Sequence, residues 1–201
     1  FLFEETSHSI REKDYRDLKP LSPGMFGYSV VRASTYSDLV HQIIDSMAEY
    51  DVELEGIHTE TGPGVYETAI RYDNGVRAGD KAALFKTGIK ELVPKHGLIA
   101  TFMAKWNNDL PGCSGHIHQS LMDDEGKQNL FSDLDNEHKL SEIAQQYIAG
   151  QLSLMPSLTA LSCPTINSYK RAVPGIWSPI NVSWGIENRT TAIRTIPGIT
   201  P

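Results

Sequence analysis

The sequence predicts an α+β fold, on three observations. Apolar residues recur at helical spacing in long stretches: in "ASTYSDLVHQIIDSMAEYD" they fall at Leu39, Ile43, Ile44 and Met47. Between such stretches lie short runs that alternate apolar and polar residues, the period of a half-buried strand. Their order, β–α–β–β–α–β–β–α–β, sets tight turns rather than helical crossovers beside the runs that carry carboxylates and histidines, as in an antiparallel sheet built from hairpins.

Along the chain, "FLFEE" opens as an apolar strand, and "ETSHSIREKDYRDLKPLSPGMFG" is an irregular loop punctuated by proline and glycine. "ASTYSDLVHQIIDSMAEYD" is an amphipathic helix with Ser34 or Thr35 as its N-cap. "VELEGIH" and "VYETAIRY" are strands joined across a tight turn at the "GPG" of 62–64. "RAGDKAALFKTGIKELVPKHG" is a second helix, ended by Pro94 and Gly97. "LIATFMAKW" is the next strand, and "GCSGHIHQSL" follows as a strand with His116 and His118 on one face, about 7 Å apart at the usual rise per residue. "MDDEGKQ" is a hairpin turn, and "HKLSEIAQQYIAGQLSLMPSLTALS" is a longer helix broken near Pro156. The remainder mixes short strands with loops rich in Pro, Gly and Asn, without internal repeats or low-complexity tracts.

The 201 residues suffice for one substantial core. Acidic residues outnumber basic ones, 25 to 18, which argues against a general nucleic-acid or membrane-surface role. No apolar run approaches the roughly 20 residues that span a bilayer. Cys113 and Cys163 form neither a disulfide framework nor a CxxC pair, which suits a reducing compartment, so the expected location is cytoplasmic. The abrupt ends, "FLFEE" without a methionine and "RTIPGITP", suggest a piece of a longer protein.

Four clusters carry chemistry. In "HTETGPGVYE", Glu60 ends one strand and Glu67 lies on the next, so paired strands turn both carboxylates to one cavity. That arrangement suits a cation site, an acid/base pair, or two solvated glutamates. The His116/His118 pair suits a metal, an anionic ligand, or a polar strand face. In "NSYKRAVPG", Lys170 and Arg171 stand in a loop, where a planar guanidinium fits bidentate capture of a substrate carboxylate or is a plain surface cation. In "ENRTTAIR", Arg189 and Arg194 are candidates to neutralise phosphate charge.

Taken in order, "HTETGPGVYE", "CSGHIHQSL", "PTINSYKRAVPG" and "WSPINVSWGIENRTTAIR" resemble the catalytic domain of the glutamine synthetase superfamily, over most of the chain from "FLF" to the final "IPG". The resemblance implies a curved, mostly antiparallel sheet with helices packed on its outer face. It also implies that residues 1–201 are part of that catalytic domain, lacking its N-terminal β-grasp domain, its C-terminal part and some of its ligand glutamates. Glu60 and Glu67 match glutamates that hold one divalent ion, Mg²⁺ or Mn²⁺, and His116 matches the histidine ligand of a second. His118, Ser120 and Tyr72 fall where the family contacts the nucleotide. Arg171 matches the arginine that binds the glutamate carboxylate, and Gly112 lies in the loop touching that amino acid. Arg189 and Arg194 match phosphate-contacting arginines, Arg189 and Arg171 being the expected catalytic pair.

The implied reaction is ATP-dependent ligation of glutamate to ammonia or an alkylamine through a γ-glutamyl phosphate, in a ring-type homo-oligomer whose sites lie between subunits. On that reading the isolated piece is inactive. A non-catalytic scaffold of the same fold is the competing reading, although a scaffold has no need of charged groups that cost desolvation energy. The chain departs from the family at Val65, usually glutamine, and at Pro111, often asparagine. The most informative departure is Trp177, where ammonia-using members carry a glutamate that helps deprotonate ammonium. An indole accepts no proton but packs against alkyl groups or faces a cation, as in relatives that use alkylamines or polyamines.

Overall fold

The computed structural model describes residues 1–197, and the last four residues of the expected 1–201 domain, including the glycine of the final "IPG", lie outside the described residues. The chain divides into two compact units, 1–113 and the part from 114 onward.

In the first unit, strand β1 (Leu2–Phe3) pairs antiparallel with β4 (Ile99–Ala100). The predicted strand over "LIATFMAKW" shrinks to these two residues because β1 offers only two partners. The loop after β1 contains one short helix, α1 (Ser9–Glu12), where a fully irregular stretch is expected. The predicted helix over 33–51 is two helices, α2 (Val30–Thr35) and α3 (Ser37–Glu49). Neither Ser34 nor Thr35 caps it: Ser29 caps α2, and α3 begins at Tyr36, which has no capping hydrogen bond. The break has a tertiary cause, since the Tyr36 hydroxyl donates to the Leu21 carbonyl at 2.7 Å and fixes the ring across the chain.

The apolar stripe of α3 buries Leu39, Ile43 and Met47, while Ile44 stays partly exposed. These side chains pack against Ile89 and Leu92 of α4 (Gly75–Leu92), with Val52, Val93, Leu2, Leu21 and Leu98 completing the core. Burying a side chain such as Met47, fully shielded here, contributes roughly 1.5–3 kcal/mol. Asn74 caps α4 by accepting from the Arg77 N–H, and Gly97 terminates the following 3₁₀ turn in the left-handed conformation expected of a C-terminal glycine. A smaller core joins Phe1, Phe3 and Val65, with the Trp106 ring edge-on to Phe3 at 5.0 Å.

β2 (Leu54–Thr59) and β3 (Tyr66–Ile70) form the predicted antiparallel hairpin, with Thr59 opposite Tyr66 and His58 opposite Glu67. Its turn needs its glycines. Gly62 and Gly64 have φ of 124° and 69°, and a Cβ on Gly64 would lie 2.5 Å from the Leu2 carbonyl oxygen.

The second unit contains the predicted hairpin turn, with Met122 bridging Asn129 and Gly126 in the left-handed region. Helix α5 (Glu142–Ser162) is capped by Ser141, buries Ala144 and Ile148, and runs unbroken through Pro156. Pro156 lies on the exposed side of the helix, and its ring removes one backbone hydrogen bond without ending it. Lys170 and Arg171 are not in a loop: they form the last turn of α6 (Ile166–Arg171), nucleated by a reciprocal cap between Thr165 and Ser168. β5 (Trp184–Ile186) and β6 (Ile193–Thr195) pair in parallel. The predicted histidine strand forms no ladder over 112–121. Alternation selects a strand only where one face is buried, and Ile117 between the two histidines is 84% exposed. The α+β class holds, with helices packed beside short ladders.

Candidate functional site

The β2–β3 hairpin assembles the carboxylates. Glu60 follows β2 by one residue, and its N–H donates to the Val65 carbonyl at 2.8 Å, closing the turn. Glu67 lies on β3 directly opposite His58. Because residues two apart share a strand face, the tight turn brings His58, Glu60 and Glu67 together, with one ligand atom from each lying within 4.8 Å of the others. His58 is the residue that the motif reading passed over. Its signal is parity: two residues before Glu60, it shares that residue's face once the register is known.

The donor set suits a hard divalent cation. Two carboxylates and one imidazole are the ligand types that Mg²⁺ and Mn²⁺ take, and no thiolate is among them. Burial pushes the Glu60 carboxyl up, but hydrogen bonds from the Thr61 N–H, at 2.7 Å, and from the Tyr28 hydroxyl outweigh it, helped by the neighbouring His58. Glu60 is therefore held below the usual carboxylate range, in the charged form that a cation needs.

Gly112 is half-buried beside this hairpin. Its neighbour Pro111 lies 3.6 Å from where a Cβ on Gly62 would stand. Tyr72 is 83% exposed in the connection from β3 to α4, so its ring is open to a stacking ligand.

In the second unit, His116, His118 and Ser120 are all exposed, while Gln119 between them accepts from the Tyr147 hydroxyl at 2.6 Å and from Gln151 at 3.4 Å. The segment is thus tethered to α5 through the residue of opposite parity. Among the described residues, the grouping with metal-binding geometry is the His58 cluster, which does not include His116. Arg171 and Arg189 converge on Trp177: Arg171 Nη2 donates to the Trp177 carbonyl at 3.1 Å, and the Arg189 guanidinium lies over the indole, 5.4 Å from its centre. Trp177 itself is 69% exposed. Arg194 lies half-buried on β6, opposite Gly185.

Residues 1–200 match the family model described as the glutamine synthetase catalytic domain. Type-1 glutamine synthetase 2 of Dictyostelium discoideum is 45% identical over 98% of this chain and 37% of its own length. Glutamate–isopropylamine ligase of a Pseudomonas species is 38% identical over 98% of this chain and 42% of its own. A solved GmaS/ADP complex superposes with a TM-score of 0.78 at 31% identity, covering 86% of this chain and 41% of that one. The chain spans about two-fifths of the length of the curated relatives it matches.

Proposed function

The chain belongs to the glutamine synthetase catalytic-domain family, and we propose that the protein containing it is an ATP-dependent ligase that joins glutamate to ammonia or an alkylamine. The observation that carries this reading is the convergence of Glu60, Glu67 and His58 within a chain that matches that family over nearly all its length.

In the proposed reaction a γ-carboxylate oxygen of glutamate attacks the terminal phosphorus of ATP and ADP leaves. The amine nitrogen then attacks the acyl carbon, and inorganic phosphate departs with the former carboxylate oxygen as the nitrogen sheds a proton. Glu60, Glu67 and His58 would hold one divalent ion and His116 would serve a second, and such ions would supply charge neutralisation at the phosphates. Arg171 receives the amino-acid carboxylate, and the loop at Gly112 touches the amino acid. Arg189 and Arg194 offset charge on the transferring phosphoryl oxygens, as fixed donors do where negative charge develops. Tyr72, His118 and Ser120 contact the nucleotide; that the protein takes a nucleotide at all is supported by its likeness to a structure solved as a GmaS/ADP complex. The family's site lies between subunits, so the active form is a homo-oligomer.

The named relatives span both acceptor classes, a glutamine synthetase and an isopropylamine ligase. Trp177 favours the alkylamine. Its ring is exposed with the Arg189 guanidinium over it, and its backbone carbonyl accepts from Arg171. An indole packs against alkyl carbons but takes no proton from ammonium. The test is glutamate-dependent ADP release by the full-length protein with ammonium, methylamine, ethanolamine or putrescine. Release at the same background with every amine refutes the ligase and favours a scaffold. Preference for ammonium refutes the reading of Trp177.

A further inference from the structure

Tyr28 lies outside the four motifs that carry the family resemblance, yet its backbone and its ring are both tied to the acidic hairpin. Its φ is 57°, a left-handed conformation that is strained for a bulky L-residue. The backbone holds it there. The Tyr28 N–H donates to the Thr59 carbonyl at 2.6 Å, and the next N–H, of Ser29, donates to the Thr59 hydroxyl at 3.1 Å. Thr59 is the last residue of β2 and is almost fully buried, so both bonds anchor to a rigid point. On the other side, Gly27 runs so close to the turn that a Cβ would stand 3.1 Å from the Thr61 N–H nitrogen, tighter than side chains ordinarily pack.

The anchored side chain meets two of the three candidate ligands. Its ring stacks on His58, with centroids 4.7 Å apart and planes 28° from parallel, and its hydroxyl hydrogen-bonds the Glu60 carboxylate. Stacking fixes the plane of the imidazole, and the hydrogen bond fixes the carboxylate rotamer. Both groups are thereby turned towards the point they share with Glu67. Despite these contacts the residue is 60% exposed, so burial of its ring does not explain the strained backbone.

We propose that Tyr28 is a positioning residue for the divalent cation of the hairpin, orienting His58 through its ring and Glu60 through its hydroxyl. This rests on the cation reading of Glu60, Glu67 and His58, and the experiment separates the two. Mn²⁺ binding to the nucleotide-free full-length protein is titrated by the electron-paramagnetic-resonance signal of the free ion. The proteins compared are wild type, Glu60→Gln, Glu67→Gln, Tyr28→Phe and Tyr28→Leu, with thermal unfolding of each as the folding control.

If the cation reading holds, Glu60→Gln and Glu67→Gln each abolish one Mn²⁺ site. If Tyr28 positions its ligands, Tyr28→Phe, which keeps the stack and loses the hydroxyl, weakens that site about tenfold, and Tyr28→Leu, which loses both, weakens it towards about a hundredfold. A role in stability alone lowers the unfolding temperature of Tyr28→Leu and leaves Mn²⁺ affinity untouched, which overturns the proposal. Wild-type affinity in Tyr28→Phe and Tyr28→Leu, with the site lost in Glu60→Gln, refutes the positioning role alone. Retention of every Mn²⁺ site in both glutamate variants refutes the cation reading, and the positioning role with it.

Discussion

Replacing Glu5 with glutamine removes a buried charge that three donors hold in place. The side chain keeps 2% of its exposure. Its carboxylate accepts from Lys13 Nζ at 2.5 Å, Ser9 Oγ at 2.6 Å and the Lys19 N–H at 2.9 Å. These bonds, that from Lys13 foremost, pull its pKa from an ordinary 4.5 to about 2. At roughly 1.4 kcal/mol for each tenfold change in proton affinity, that displacement is worth about 3 kcal/mol of stability. The folded-state value lies below the unfolded one. The contribution is therefore complete above about pH 4.5 and disappears as pH falls towards about 2. Urea denaturation of the protein and of Glu5→Gln from pH 7 down to pH 2 measures it. The expected gap is about 2–3 kcal/mol at pH 7, closing across the acidic window. A gap below about 0.5 kcal/mol at pH 7, or one that stays constant between pH 5 and pH 2, refutes the reasoning.

Other perturbations test other parts of the account. Met47→Ala, at a fully buried position against α4, should cost about 2–5 kcal/mol in the same denaturation experiment. His116→Ala should lower kcat/KM of the full-length protein at least about a hundredfold, more than changes behind a ligand cost; an unchanged rate removes His116 from the site. Trp177→Glu should shift acceptor preference towards ammonium when ammonium and ethanolamine compete for one pool of glutamate, and an unchanged product ratio shows that the indole does not choose the amine.

The hairpin was legible because two alternating runs flank a Gly-Pro-Gly turn, which announces antiparallel pairing and brings Glu60 and Glu67 to the same end of the ladder, while the exact register was not. His58 was not, since its place beside Glu67 follows only from that register. Tyr28 was still less so: its anchor is a backbone contact across 31 residues to Thr59, invisible to any local pattern. The same distinction explains the misplaced elements. The break at Tyr36 comes from a tertiary hydrogen bond to Leu21. The histidine run alternates without a buried face, so periodicity alone named a strand that none of the described residues pairs into a ladder. Pro156 forbids one helical hydrogen bond, and its exposure makes that loss cheap. Thr165 and Ser168 did announce the start of α6, but with serine where the usual cap has a longer acceptor.

The central claim is that glutamate is activated as an acyl phosphate before the amine attacks. Glutamate labelled with ¹⁸O in its γ-carboxylate, incubated with ATP, an amine and the full-length protein, tests it directly, because the oxygen that attacks phosphorus must leave with it. The account predicts one ¹⁸O in each inorganic phosphate released, in step with γ-glutamyl amide formed. Phosphate that carries only solvent or ATP oxygen contradicts it.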